Sequence, residues 1–313
     1  MGKKKFTGVS QFLARFRGWI QAGAALLTNL HLPNFLKGGL YQGAGKTVCV
    51  PGLNCYSCPA ASGACPIGAF QAVVGSSKFS FSYYITGILI LLGVLLGRFI
   101  CGFLCPFGWF QELLHKIPSR KLSTRKLKPL RYLKYAILLV MVFLLPAFLV
   151  NDVGMGDPFF CKYLCPQGVL EGAIPLSLAN SGIRAALGSL FTWKLGILLV
   201  VIVLSVLFYR PFCKWICPLG AFYALLNKVS LVQMKVDQSK CISCGKCAKA
   251  CKMDVDVTKS PNHTECIRCG MCVRACPTNA VRFRCGFGTG KQGTVLPEKT
   301  NKQINDIVKE KKS

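Results

Sequence analysis

Acidic residues are scarce in this chain: 11 of 313 residues are Asp or Glu, and 3 are His. No carboxylate pair and no nucleophile–base set stands out, which excludes the usual general acid/base and covalent catalysts. A Gly-rich phosphate loop is missing too, so the common nucleotide-binding devices are excluded. No A-x-A-like site follows the first apolar segment, and a cleavable leader is not expected. The few polar candidates are isolated. His115 is expected to be solvated in a basic loop, and His31 is a lone polar group in a weak apolar segment. Asp152 and Asp157 are expected to cap turns or meet a partner. No active site for organic chemistry is expected.

What is present is apolar, basic and rich in thiols. Hydrophobic residues make up 52% of the chain, the formal charge is +28, and there are 19 cysteines. That many cysteines in a chain this long do not fit a small disulfide scaffold, and their clustered spacing reads as metal ligation. Three segments, Phe81 to Ile100, Tyr132 to Val150 and Lys194 to Tyr209 (extended by 187–193), approach the roughly 20 apolar residues that a bilayer core of ~30 Å requires. A fourth, Gly18 to Leu36, carries Gln21, Asn29, His31 and Pro33, and an interfacial amphipathic helix competes with it. About four transmembrane helices are expected.

The distribution of positive charge orients them. Lys and Arg number 5 in residues 1–17, 9 in 98–134 and 19 in 209–313, against 3 in 37–80 and 2 in 151–193. The positive-inside rule then puts both termini and the loop 98–134 in the cytoplasm, with the chain multi-pass in the cell membrane. Nucleic acid is not an expected partner; acidic lipid or an acidic electron carrier suits the inner face.

Residues 241–251 read CISCGKCAKAC and residues 266–276 read CIRCGMCVRAC, 25 residues apart. Two Cys-x2-Cys-x2-Cys-x3-Cys runs are the pattern of bacterial two-cluster ferredoxins, where the fourth cysteine of each run ligates the other cluster. One [4Fe–4S] set is therefore Cys241, Cys244, Cys247 and Cys276, and the other is Cys266, Cys269, Cys272 and Cys251. Zinc knuckles also use Cys-x2-Cys pairs, but four ligands at such close intervals, twice over, favour the cubane. Lys252 stands where the first run would carry proline, and Cys285 lies outside both runs.

Cys-Pro-x-Gly recurs four times upstream: CPIGAFQ at 65, CPFGWFQ at 105, CPQGVLE at 165 and CPLGAFY at 217. Cys101, Cys161 and Cys213 stand four residues before three of these, and Cys58 stands seven before Cys65. Proline is pre-organised for the first helical position, and the helix dipole there favours a thiolate or an anionic cluster. On the topology above, the units at 65 and 165 face outward and those at 105 and 217 inward. The chain thus reads as a tandem duplication about an axis along the membrane normal. Pairing equivalent units gives an inner set, Cys101, Cys105, Cys213 and Cys217, and an outer set, Cys58, Cys65, Cys161 and Cys165. A rival outer set uses Cys55 in place of Cys65. Cys49 and Cys55 are left over by this pairing, and a disulfide between them, structural or reducible, is expected. Zinc, copper and iron-free redox thiols are competing readings of these membrane cysteines. Phe107, Trp109, Phe110, Phe222 and Tyr223 are expected to shield a cluster, with Arg98, Arg210 and Lys214 near the inner one.

These residues resemble a known family, the membrane-bound polyferredoxins of the NapH, NosR and CcoG type. The resemblance rests on CGFLCP (101–106) and CKWICP (213–218) followed by the two-cluster run, and it covers 81–285. It implies electron transfer that feeds reductases, or assistance to metal-centre maturation, at or outside the membrane. The outer units NCYSCPAASGACPIGAF and CKYLCPQG depart from the family pattern, as does the lack of a flavin-binding domain among these residues.

The expected architecture is an α-helical membrane domain over 1–232, in halves 1–130 and 131–232. An α+β two-cluster ferredoxin-like domain over 233–286 and a basic tail over 287–313 follow. The expected function is electron transfer between a cytoplasmic donor and an acceptor at the outer face, through two ferredoxin-type and two membrane [4Fe–4S] clusters. Redox proteins on both faces, a multisubunit complex, the bilayer and a quinone are the expected partners. A maturation or thiol-reducing factor acting outside, quinol-linked flow inward, and a redox or iron sensor are the competing functions.

Overall fold

A proline drives the residue before it out of the helical region and is itself suited to start a helix. In the computed structural model, which describes residues 8–76, 82–152 and 155–286, this rule is obeyed four times. Cys65, Cys105, Cys165 and Cys217 share one extended conformation, with φ between −65 and −79° and ψ between 111 and 123°. A helix follows each: Pro66–Gly75, Pro106–Leu114, Gly168–Ala179 and Pro218–Leu226. Three of the preceding turns close alike, each Cys N–H bonding the carbonyl five residues back. Cys105 bonds Ile100 at 3.0 Å, Cys165 bonds Phe160 at 2.9 Å, and Cys217 bonds Phe212 at 2.9 Å. The first unit differs, because Ala64 is held in a parallel bridge to Cys49.

Among the described residues two helices, Leu127–Phe148 and Ser189–Leu207, are long and apolar enough to cross a membrane. The former loosens to π-helix over Leu138–Leu144 ahead of Pro146, which has no N–H for the Val142 carbonyl. The other two expected spans come out differently. The apolar run at 81–100 gives a helix of 13 residues, Tyr83–Leu95. Gly97 then turns at φ +54°, and Arg98 is drawn out of the run to Glu265, 2.9 Å away. The N-terminal helix is Val9–Thr28 in place of 18–36: it takes in Arg15 and Arg17 and stops at Asn29, whose side chain bonds the Ala25 carbonyl at 3.0 Å. Phe81 and the tail over 287–313 lie outside the described residues.

The C-terminal unit is closed by a two-stranded antiparallel sheet, Val232–Val236 with Val281–Cys285, in register from Val232↔Cys285 to Val236↔Val281. Between the strands the backbone repeats itself at the 25-residue spacing of the cysteine runs. Ser243 and Arg268 (both φ 52°), Gly245 and Gly270 (φ 68 and 74°), and Asp254 and Asn279 (both φ 55°) form left-handed pairs. One apolar core joins this unit to the helices, with Met253, Val255 and Ile267 packed in the same cluster as Phe107, Phe212 and Tyr223. Gly102 is required at that junction, since a Cβ there would run into the Ile267 carbonyl.

Candidate metal centres

The two ferredoxin-type runs cross over. Cys241, Cys244, Cys247 and Cys276 line one cavity, and Cys251, Cys266, Cys269 and Cys272 line another. Burial would raise the Cys276 thiol, but the Thr278 hydroxyl and the Ala280 amide, 3.3 Å from Sγ, outweigh it and hold it below its ordinary pKa.

Cys101, Cys105, Cys213 and Cys217 are all buried and fall within electrostatic reach of one another. Burial pushes the Cys105 thiol up to about 12, and the nearby thiols of Cys213 and Cys101 add to the rise. Such a buried thiol does not ionise unaided; a metal group would take the place of its proton. Gln111 ties the two units together. Its Oε1 accepts from the Phe212 amide at 3.2 Å, and its Nε2 donates to Cys213 Sγ at 3.2 Å. The Gly220 amide donates to Cys217 Sγ at 3.3 Å.

The outer units repeat this link. Gln71 Oε1 accepts from the Phe160 amide at 3.0 Å and Nε2 donates to Cys161 Sγ at 3.2 Å. Cys65, Cys161 and Cys165 line a cavity of about 830 Å³ together with Cys55. The expected Cys58 does not line it: its Sγ donates to Asn29 Oδ1 at 3.6 Å, and it packs with Ala60 and Ala61 behind Cys55. No disulfide forms among the described residues, so the expected Cys49–Cys55 bond is not made, and Cys285 is an exposed thiol at a strand end. The isolated polar residues find local partners. His31 stacks on Tyr41 at 3.7 Å, His115 meets Tyr209 edge-on at 5.5 Å, and Asp157 pairs with Lys162 at 2.5 Å.

The sets are contiguous. A Cβ on Gly52 would lie 2.8 Å from Cys105 Cα, so the 51–54 segment presses directly on the inner set. Leu53 and Asn54 of the same segment line the outer cavity beside Cys65. The inner and outer sets share one core. On the other side, Gly102 of the inner turn touches the Ile267 carbonyl, next to Cys266.

Buried charge says what sort of group fits. Arg98, Lys134, Arg210, Lys214 and Arg268 are each at most 1% exposed. Glu265 pairs with Arg98 at 2.9 Å and Lys134 at 2.6 Å, and Glu112 pairs with Arg210 at 2.8 Å and with Arg17. Asp254 pairs with Lys214 at 3.2 Å and Arg131 at 3.3 Å, while Arg268 has the Leu96 and Asn227 carbonyls. Burial would raise the Glu265 carboxyl, but Arg98 and Lys134 outweigh it and hold it at about 2. Seven cations (Arg17, Arg98, Arg131, Lys134, Arg210, Lys214, Arg268) thus face three carboxylates. Leaving such charge unbalanced costs several kcal/mol per ion, so the site calls for anions. Thiolate-ligated iron–sulfur clusters are anions of that kind, and the donor set fits them. Among the described residues no three His, Cys, Asp or Glu side chains close on a single ion.

Sequence reasoning missed the glutamines and the carboxylates. The signal for the glutamines was present, since Gln71 and Gln111 both stand six residues after the cysteine in CPIGAFQ and CPFGWFQ.

Comparison with known proteins agrees with this chemistry. A 4Fe-4S binding domain model matches residues 63–84, 80–125, 134–174 and 190–237, one Cys-Pro-x-Gly unit in each match. A second 4Fe-4S binding domain model matches 234–255 and 260–282. An uncharacterized protein of Methanocaldococcus jannaschii is 28% identical over 182 residues, 55% of this chain and 66% of the relative. The methylamine utilization ferredoxin-type protein MauN of Methylorubrum extorquens is 27% identical over 198 residues, 61% of this chain and 56% of the relative. The ferredoxin-type protein NapH of Haemophilus influenzae is 26% identical over 179 residues, 56% and 54% of the two chains. The chain thus spans between about half and two thirds of the length of these relatives. No solved structure matches it. With its recurrent 4Fe-4S binding units and these relatives, the chain belongs to the polyferredoxin family of the NapH/NosR type.

Proposed function

We propose that the chain is a membrane electron-transfer protein, carrying single electrons between a redox partner at its ferredoxin-like end and a second partner beyond the 49–58 loop. [4Fe–4S] groups held by the two ferredoxin-type sets, the inner set and the outer set supply one-electron chemistry. The observation that carries this reading is the unbroken series of thiol sets, linked by Ile267 against Gly102 and then by the 52–54 segment, which presses on Cys105 at Gly52 and lines the outer cavity at Leu53 and Asn54. The chain's own residues order the sets, keep water from them and fix their spacing. Tyr223, fully buried with its hydroxyl donating to the Pro51 carbonyl at 3.1 Å, fills the space between the inner and outer sets.

The ends are suited to partners. Exposed Cys244, with Lys240, Lys246 and Lys249 around it, offers an acidic carrier a basic landing site. At the far end the cavity of about 830 Å³, bounded by Lys46 and Lys194, gives access to a protein or a quinone. The membrane assignment is supported by how little of the two long helices is covered: 28% of the apolar stretch in Leu127–Phe148 and 17% of that in Ser189–Leu207 are buried. Leu139, Val140 and Phe148, with Leu199, Val200 and Val203, face outward. The positive charge supports a cytoplasmic ferredoxin-like end.

Protein purified without oxygen should contain about sixteen iron and about sixteen acid-labile sulfides per chain, as four cubanes require. About eight of each would leave only the ferredoxin-type pair and defeat the reading. The Gln111 contact makes a finer prediction. Gln111→Leu removes an N–H donor from Cys213 Sγ, so the more negative, reduced state of the inner group loses support and its potential should fall by roughly tens of millivolts. An EPR-monitored titration measures the shift, with the two ferredoxin-type signals as internal controls.

A further inference from the structure

Two of the Cys-Pro-x-Gly units face each other across the outer cavity, and their contacts are reciprocal. Seen from the unit 65–71, a Cβ on Gly68 would meet Cys161 Sγ at 3.5 Å, and Gln71 accepts from the amide of Phe160, the residue just before Cys161. Seen from the unit 165–171, the equivalent glycine is Gly168 and the equivalent of Gln71 is Glu171. A Cβ on Gly168 would meet Cys55 Sγ at 3.6 Å, and Glu171 Oε2 accepts from the Cys55 amide at 3.1 Å. Cys55 therefore stands to the second unit as Cys161 stands to the first.

Spacing along the chain conceals this. The residue four before Cys65 is Ala61, so the first unit has no Cys-x3-Cys turn of its own. The loop that replaces it is pinned elsewhere: Lys46 Nζ donates to the Tyr56 carbonyl at 2.6 Å, and Gly52 is pressed on Cys105. That course brings Cys55 to the cavity and turns Cys58 away, toward Asn29.

We infer that Cys55, and not Cys58, is the fourth thiolate of the outer site, completing the set Cys55, Cys65, Cys161 and Cys165. The inference rests on the proposed electron-transfer reading, in which the outer set holds a [4Fe–4S] group. On it, ligation of the outer group uses no Cys-x3-Cys turn from the first half. The second half supplies Cys161 and Cys165 from one turn, and the first half supplies Cys55 and Cys65 from either side of a nine-residue loop.

The test is iron and acid-labile sulfide content, with EPR after reduction, in anaerobically purified parent, Cys55→Ala and Cys58→Ala proteins. The parent and Cys58→Ala should hold about sixteen iron and Cys55→Ala about twelve, with the ferredoxin-type signals unchanged in all three. The size-conserving pair Cys55→Ser and Cys58→Ser gives a second readout that does not depend on tolerance of alanine. Cys55→Ser should shift the EPR signal of one cluster in four, and Cys58→Ser should leave all four as in the parent. Loss of four iron in Cys58→Ala, or a shifted signal in Cys58→Ser, overturns the inference, as does an unchanged outer signal in Cys55→Ala. A parent with only about twelve iron means that the outer set holds no cubane, which defeats the underlying reading and is distinct from a wrong choice between the two cysteines.

Discussion

Exchange of Cys217 for Ala should leave about twelve of about sixteen iron atoms and stop electron passage between the two ends of the molecule, while the ferredoxin-type signals persist. Cys217 is one of four thiols in a buried group, and the Gly220 amide is already directed at its sulfur. Removing it opens one corner of the inner site, and water does not easily replace a thiolate in so apolar a core. The loss is large because the inner set stands in series: the ferredoxin-type unit touches it through Ile267, and the 52–54 segment that lines the outer cavity presses on it at Cys105. Reduction of the ferredoxin-type end followed by stopped-flow reoxidation with an acceptor held at the far end measures the effect. Cys285→Ala is the control, since that thiol is exposed at the end of a strand and should change neither iron nor rate. Transfer in Cys217→Ala at the parental rate would show that electrons do not pass through the inner set.

Glu265→Ala should be the most damaging single change outside the cysteines. Arg98 and Lys134 are both 0% exposed, and Glu265 is the carboxylate that both contact. Removing one partner from a buried ion group typically costs about 3–5 kcal/mol, because the remaining charges stay buried. In a chain of this size that corresponds to a fall of roughly 10 °C in Tm. The ferredoxin-type unit should also become more open to protease, because the same cluster fastens it to the helices. Glu265→Gln, which keeps the shape and part of the hydrogen bonding, should lose less. Asp237→Ala, which breaks an exposed pair with Arg282, should stay within about 1 kcal/mol of the parent. A melt of Glu265→Ala indistinguishable from that of Asp237→Ala would contradict the role given to the buried cluster.

The legible part of this molecule is what local chemistry dictates. The two ferredoxin-type runs could be read because their spacing is repeated at 25 residues, and the backbone follows it down to the left-handed Ser243 and Arg268. The four Cys-Pro steps could be read because proline constrains the cysteine before it regardless of context. What could not be read depends on residues far apart in the chain. Arg17 looks like the end of an apolar segment until Glu112, 95 residues later, is seen to pair with it. The run at 81–100 is apolar throughout its middle, yet its helix ends early because Arg98 answers to Glu265. Cys58 stands closer in sequence to the unit pattern than Cys55 does, and only the course of a loop pressed on Cys105 reverses their order.

On the proposed ligand sets, completion of each membrane site by both halves has a consequence for biosynthesis. Cys213 and Cys217 follow Cys101 and Cys105 by 112 residues, so they are made well after the first pair. N-terminal parts of a chain generally fold first, so the first half must wait with open thiol pairs until the second arrives. Iron delivery is then the last act of maturation, and each cluster, once inserted, acts as a clasp between two halves that were made separately. Iron-starved cells should accordingly accumulate a chain whose helices are in place but whose halves are not yet locked together.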